Sequence, residues 1–199
     1  GLVKKILIAD NLSIISDQVF SSDANLSSLE VWIGSLSFTF QIYFDFSAYI
    51  DMATGIALLF NINLPQNFNS PYKATGIIDF WQRWHITLTF FLTNYLYNPL
   101  LKSLKNLTFF KSMICTLFVF LIAGLWHGPS WLFVIFGAMH GLGLIVNQTF
   151  KKTSSFKLNK IFSQFLTFIY INISFIFFRS ENIESAIRLI KQIFLFDFK

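Results

Sequence analysis

The chain has 199 residues, of which 54% are hydrophobic and 19% aromatic, while only 13% are charged. A soluble domain carries about 25% charged residues, so roughly half the charge needed to dress a water-facing surface is present; with a mean hydropathy of +0.58 and 27 phenylalanines, the composition is that of a membrane protein. The formal charge of +5 sits in short polar loops, at Lys4 and Lys5, at Lys102, Lys105 and Lys111, and at Lys151, Lys152, Lys157 and Lys160, a pattern of cytoplasmic-side anchors that excludes a nucleic-acid partner, which would need a basic stripe on a soluble fold.

A single cysteine, Cys115, lies inside an apolar run and rules out an internal disulfide framework. No signal-peptide pattern opens the sequence at Gly1. The expectation is one membrane domain over 1–199, all-α and polytopic, forming the C-terminal part of a longer chain and mixing spanning, broken or re-entrant, and interfacial amphipathic helices.

Residues 3–20 place apolar side chains at helical spacing with charges opposite, the pattern of an amphipathic helix in the interface. A polar link, Ser21 to Ser28, precedes a long run over 29–60. That run exceeds the roughly 20 residues needed to cross a bilayer, so it is one tilted helix or a broken pair. Gln41, Asp45 and Tyr49 share one of its faces, and Asp51 lies off that face. A carboxylate at that depth needs a partner: Asp45 bonds a neighbouring helix or caps a break, or it takes part in chemistry. Residues 61–80 are rich in Asn and Pro and predict an ordered loop or re-entrant segment, with Asp79 capping the helix that follows.

Phe80 to Phe90 predicts a tryptophan-rich interfacial helix, with Trp81 and His85 one turn apart and Arg83 snorkelling toward headgroups. Ile86 to Leu101 is apolar but short, and Pro99 and a lysine-bearing loop end it. Two apolar runs then flank His127: Met113 to Trp126 and Trp131 to Val146, 14 and 16 residues long. Both fall short of a standard span, and Gly128 and Pro129 break the chain between them. Short, Gly/Pro-interrupted segments are the pattern of helices that break around a buried site. With lysine loops on both outer sides, the pair predicts a hairpin with His127 at its deep tip. Gly137, His140, Gly141 and Leu144 share a face suited to close helix packing, which makes His140 a packing or hydrogen-bonded histidine. Residues 161–178 predict a spanning helix closed by Arg179, and 182–196 another interfacial amphipathic helix.

Three histidines permit three kinds of chemistry. Spacings of 42 and 13 residues match no compact metal motif, so no metal and no bound cofactor is expected. A histidine with Asp45 or Asp51 serves a proton relay. A histidine near its ordinary pKa serves as a general base that activates a hydroxyl for attack on an ester or thioester. No Gly-x-Ser-x-Gly elbow is present and Cys115 has no ionisable neighbour, which disfavours an acyl-enzyme and favours direct transfer. Composition does not separate the relay from the transferase.

Six blocks in order carry a resemblance: Gln41-Ile-Tyr-Phe-Asp-Phe-Ser-Ala-Tyr-Ile-Asp-Met-Ala53, Leu64-Pro-Gln-Asn-Phe-Asn-Ser-Pro-Tyr72, Asp79-Phe-Trp-Gln-Arg-Trp-His-Ile-Thr-Leu88, Tyr95-Leu-Tyr-Asn-Pro99, Gly124-Leu-Trp-His-Gly128 and Gly137-Ala-Met-His-Gly141. Together they resemble the membrane-bound O-acyltransferase family, in the branch of the alginate and peptidoglycan O-acetyltransferase membrane subunits, from about Lys4 to Phe194. The resemblance implies a helical shell around a thinned centre, in which His127 is the essential histidine and His85 a second important one. It implies that His127 is the general base, that His85 with Trp81 and Arg83 shapes a donor channel, and that Asp45 and Trp126 belong to the substrate-binding set. The implied donor is acetyl-CoA or another acyl thioester. The implied acceptor is a polysaccharide hydroxyl outside the cytoplasmic (inner) membrane, reached directly or through an extracytoplasmic acyltransferase or acyl-carrier partner protein. Departures from the family pattern fall at Thr93-Asn94-Tyr95, where Arg-Asp-Tyr is common, at Leu101-Lys-Ser-Leu104, where Gly-Gly-Asn-Arg often stands, and at Ala48, where glycine is usual. The alternatives are a transporter or membrane partner that moves an acyl group or protons without transfer, and an inactive truncated scaffold.

Overall fold

The computed structural model describes residues 1–22, 26–156, 158–195 and 197; Lys157 and the middle of the Ser21–Ser28 link lie outside the described residues. These residues fold as helices joined by turns and loops, with no strand among them. The chain divides into two units, residues 1–65 with 175–199, and residues 66–174. Among the described residues, four helices are long and apolar enough to cross a membrane: Ser28–Leu59, Phe109–His127, Trp131–Thr153 and Lys160–Arg179.

The first unit opens with a π-helical turn, Lys4–Ala9, continued by α1, Asp10–Phe20. The run over 29–60 is one helix, α2, Ser28–Leu59, about 48 Å long at 1.5 Å per residue. A capping box starts it: the Glu30 amide donates to the Ser27 hydroxyl (3.3 Å) and the Ser27 amide donates back to the Glu30 carboxylate (2.7 Å). α1 lies along α2 because Gly34 lets Val19 close in; a Cβ there would stand 2.5 Å from it. Three polar residues of α2, Gln41, Asp45 and Asp51, find partners in the preceding segment. Ser16 donates to Gln41 (2.6 Å), Lys5 bridges Asp10 (2.9 Å) and Asp45 (2.8 Å), and Lys4 pairs with Asp51 (2.7 Å). Asp45 thus bonds a neighbouring helix. Phe20, Phe38 and Phe175 pack edge-on, and Arg179 reaches Asp17 at 2.6 Å. The amphipathic helix predicted over 182–196 is α9, Ile183–Phe194. It buries Ala186, Leu189 and Ile193, and the Gln192 carbonyl accepts from Ser28 (2.7 Å).

In the second unit, residues 66–76 form the ordered irregular segment expected, with a single 3-10 turn at Pro71–Lys73. α3 begins inside the segment read as loop, at Ile77, and runs only to Trp81. Asp79 is its third residue and not its N-cap; the carboxylate reaches back to accept from the Thr75 amide (3.0 Å). One helix from Phe80 to Phe90 does not form. The chain turns at Gln82–Trp84, and His85 takes a left-handed conformation (φ 44°, ψ 56°) before α4, Ile86–Phe91. Pro99 does not end the next segment either. A π-helical turn, Leu92–Tyr97, widens the coil just ahead of it, and α5 continues over Asn98–Ser103. The wider turn moves away the carbonyls that a proline ring would strike in an α-helix.

The hairpin around His127 consists of α6, Phe109–His127, and α7, Trp131–Thr153. Both extend past the apolar runs read in the sequence, to roughly 28 and 34 Å at 1.5 Å per residue, so each reaches spanning length. Thr108 and Ser130 cap them through the Lys111 and Leu132 amides. α8, Lys160–Arg179, is the spanning helix predicted over 161–178; its residues to Ser174 belong to this unit and those from Phe175 to the first.

Candidate functional site

The hairpin places His127 through two glycines. A Cβ at Gly124 would lie 2.2 Å from the Phe133 carbonyl, and one at Gly137 2.3 Å from the Phe120 carbonyl, so α6 and α7 touch backbone to backbone at that level. The close approach carries His127, the last residue of α6, to the tip of the hairpin. Gly128 then takes φ +159° and Pro129 contributes no amide, so the helix stops there. The His127 ring is half-buried between aromatic rings. Trp126 lies edge-on at 5.0 Å between centroids, Phe136 edge-on at 6.0 Å and Phe133 tilted at 6.1 Å. Trp126 itself is exposed.

Asn67 builds the turn that holds His85. Its backbone carbonyl accepts from the Ile86 amide (3.0 Å), and its side-chain oxygen accepts from the Thr87 amide (3.3 Å) and the Thr87 hydroxyl (2.6 Å). Asn67 therefore caps the start of α4 from 18 residues away, a service that His85 at the N-cap position does not perform. The same oxygen lies 3.1 Å from His85 Nδ1. An oxygen already receiving an amide proton is an acceptor, so Nδ1 carries the imidazole proton and Nε2 carries the lone pair. Burial holds this imidazole well below its ordinary range, at about 4, with the nearby His127 adding to the effect. His85 is neutral at pH 7.

His140, fully buried, has both ring nitrogens engaged. The Trp81 indole donates to Nδ1 (3.2 Å), which leaves the proton on Nε2, and Nε2 donates to the Ser174 hydroxyl (3.1 Å), which donates on to the Ile171 carbonyl (2.8 Å). The chain is complete and ties α3, α7 and α8 together. His140 is the hydrogen-bonded packing histidine expected from its helix face. Phe136 joins the histidines physically, packing on His140 at 4.4 Å and on His127 at 6.0 Å. His127 acts electrostatically on both His85 and His140. The fold thus brings into one neighbourhood three histidines separated by 42 and 13 residues. Among the described residues they form no metal-holding group with a carboxylate or cysteine.

Trp81, besides bonding His140, lines a cavity of about 210 Å³ with Gln82, Thr89, Tyr97, Thr116 and Gln148. Its walls are aromatic and aliphatic with a few hydroxyls and amides, the usual make-up of a small-ligand pocket. Arg83 is tied down within the unit: its Nε meets Asp79 at 2.6 Å and its Nη1 donates to the Asn69 carbonyl at 3.2 Å, where snorkelling was expected. Partial burial raises the Asp79 carboxyl, and the Thr75 amide and Arg83 outweigh it, leaving the group below its ordinary range. Arg83 thereby fixes the loop that carries Asn67. Asp45 belongs to the other unit, where Lys5 holds it; two carboxylates hydrogen-bonded to that lysine raise its pKa. Asn67 was missed in the sequence. Its signal was its place in the Leu64–Tyr72 block.

The fold and histidine neighbourhood define a polytopic membrane protein with an imidazole site at a helix break. The membrane-bound O-acyltransferase family model matches residues 1–183, and the chain belongs to that family. It is 48% identical over 195 residues to a peptidoglycan O-acetyltransferase of Helicobacter pylori, a match covering 96% of this chain and 36% of that protein. It is 37% identical over 199 residues to a probable alginate O-acetylase of Azotobacter vinelandii, covering 98% and 39%. A teichoic acid D-alanyltransferase of Streptococcus thermophilus matches at 28% over 132 residues, 56% of this chain and 32% of its own length. The chain spans a little over a third of the length of the first two relatives.

Proposed function

We propose that the protein containing this chain is an O-acyltransferase of the cytoplasmic membrane, which moves an acetyl group from a thioester, acetyl-CoA in the first instance, to hydroxyls of an extracytoplasmic polysaccharide. The observation that carries the reading is the half-buried His127 at the hairpin tip, with His85 electrostatically within its reach and His140 already committed to two hydrogen bonds. The two O-acetyl-transferring relatives support acetyl as the group and an envelope polymer as the acceptor.

In the proposed step, neutral His127 takes the proton of the acceptor hydroxyl as its oxygen attacks the thioester carbonyl. The carbonyl π bond opens to an oxyanion, then re-forms as the C–S bond breaks. The thiolate takes the proton from the imidazolium, leaving an ester and a free thiol, with the base returned to its starting state. His85, with its lone pair on Nε2, polarises or orients one of the reacting groups, and Trp81 and the cavity beside it shape the donor path. Acyl groups reach the polymer directly or through an extracytoplasmic partner protein.

The test compares ester-linked acetyl on purified envelope polysaccharide from cells carrying the complete protein or its His127→Ala variant at matched membrane abundance. Loss of general-base assistance costs roughly 10²–10⁴-fold in rate, so the expected result is ester near background with donor binding retained. Unchanged ester would reject His127 as the base and favour the transporter or scaffold alternatives.

A further inference from the structure

Residues 66–174 carry eight lysines and one arginine against a single carboxylate, Asp79. That carboxylate is bound to Arg83 and Thr75, and among the described residues none of these lysines makes an ion pair. The unit is therefore strongly and locally cationic. Most of the charge lies at one end of the α6–α7 hairpin, because the 102–111 loop enters α6 and residues 151–160 leave α7.

A groove of about 360 Å³ opens beside this cationic end, between α7 and α8. The two helices are held together where Tyr170 donates to the Met139 carbonyl (2.6 Å) and where His140 meets Ser174. From that level the groove follows α7 past Leu142 and Val146 to Phe150, with Leu166 on the facing wall. Gly143 keeps its floor open: a Cβ there would lie 3.0 Å from the Tyr170 ring. Within this chain the walls are open, with Leu142 50%, Val146 67% and Leu166 44% exposed. At the other end the chemistry becomes polar. Ser163 lines the mouth, Gln164 donates to the Lys73 carbonyl (2.8 Å), Lys151 follows Phe150 directly, and Lys160 lies one turn before Ser163. Lys73, Lys151 and Lys160 are all exposed.

We infer that this groove binds an anionic phospholipid, with an acyl chain against Val146, Phe150 and Leu166 and the phosphate among Lys73, Lys151 and Lys160. Three features select that occupant. A water-soluble phosphate compound has no use for an open aliphatic wall on helices of spanning length. A zwitterionic lipid gains nothing net from uncompensated lysines. The anionic headgroups of the cytoplasmic leaflet match the side on which lysine-bearing loops collect. The site is separate from the histidine cluster and does not depend on acyl transfer.

The complete protein would be reconstituted in bilayers of mixed phosphatidylglycerol and phosphatidylcholine, and retained lipid read by native mass spectrometry. Phosphatidylglycerol is expected to be enriched over phosphatidylcholine. A lysine near an anionic surface contributes about fivefold in affinity, so the triple change Lys73→Gln, Lys151→Gln and Lys160→Gln should reduce the preference by on the order of 100-fold. Val146→Trp fills the groove at an exposed position and should abolish retention with all lysines intact. Equal retention of the two lipids by the unaltered protein, or a preference that survives the triple change, would overturn the inference. So would inorganic pyrophosphate binding to the detergent-purified protein with unchanged affinity in Val146→Trp, which would mark a phosphate site with no lipid chain.

Discussion

Asn67 decides which nitrogen of His85 holds the proton, and it does so with the same oxygen that caps α4. Removing it affects both at once. Asn67→Ala leaves the Thr87 amide without its acceptor and the imidazole free to change tautomer, so transfer should fall by roughly 10–100-fold, the usual scale for loss of a supporting contact to a functional histidine. Asn67→Asp keeps the acceptor and adds a negative charge against His85. Burial now holds that imidazole at about 4, below its unfolded value. The folded state therefore binds fewer protons than the unfolded one between about pH 6.5 and 4, and the stability this group contributes is full above that window and is lost as pH falls through it. A carboxylate at position 67 favours the imidazolium and raises the pKa. If neutral His85 is required, the acid limb of the rate profile should move to higher pH in Asn67→Asp while the capped turn persists. An acid limb that stays in place would show that His85 does not need to be neutral for the reaction.

At the scale of elements, the α6–α7 hairpin depends on backbone contact more than on side-chain filling. Gly124→Ala and Gly137→Ala each place a methyl within 2.4 Å of a carbonyl oxygen on the opposing helix, a contact that only separation of the helices relieves; such overpacking costs about 1–3 kcal/mol. Gly55 provides the comparison. It lies in α2 with nothing within 4 Å of a Cβ, and Gly55→Ala should be neutral or slightly stabilising, since alanine is the better helix former by about 1 kcal/mol. Thermal unfolding of the detergent-purified variants checks this, and equal midpoints for all three would remove the close approach as the hairpin's support. These helices were legible because hydropathy and the Gly128-Pro129 break both act locally. The turn at Gln82–His85 was not. Nothing adjacent in sequence stops a helix there; the stop comes from Asn67, and a periodicity reading from Phe80 runs straight through it. Pro99 misled in the opposite direction, because a π-helical turn just ahead of it absorbs the proline.

On the scale of the whole chain, the spanning helices and the clustering of positive charge could be read from composition, since burial in lipid and charge at its edges leave marks on every segment. The nearness of His85 to His127 could not, because 42 residues of turns and helices separate them and no periodicity links them. Resemblance pointed to both as candidates without placing either. The same limit applies to sidedness, which rests on lysine position and hairpin geometry within residues 66–174. α6 leaves the 102–111 loop and α7 returns to the 151–160 loop, so the two loops share a side and Pro129 lies at the other end. Single cysteines at Ser103→Cys, Ser155→Cys and Pro129→Cys, in the complete protein cleared of other cysteines, turn this into a labelling experiment in sealed membranes. A membrane-impermeant maleimide should modify the first two only from the cytoplasmic side, and should leave Pro129→Cys unmodified from that side. Labelling of Ser103→Cys and Ser155→Cys from opposite sides would contradict the hairpin. Labelling of both from outside would preserve it while inverting it, and would put the cationic end of the proposed lipid groove in the wrong leaflet.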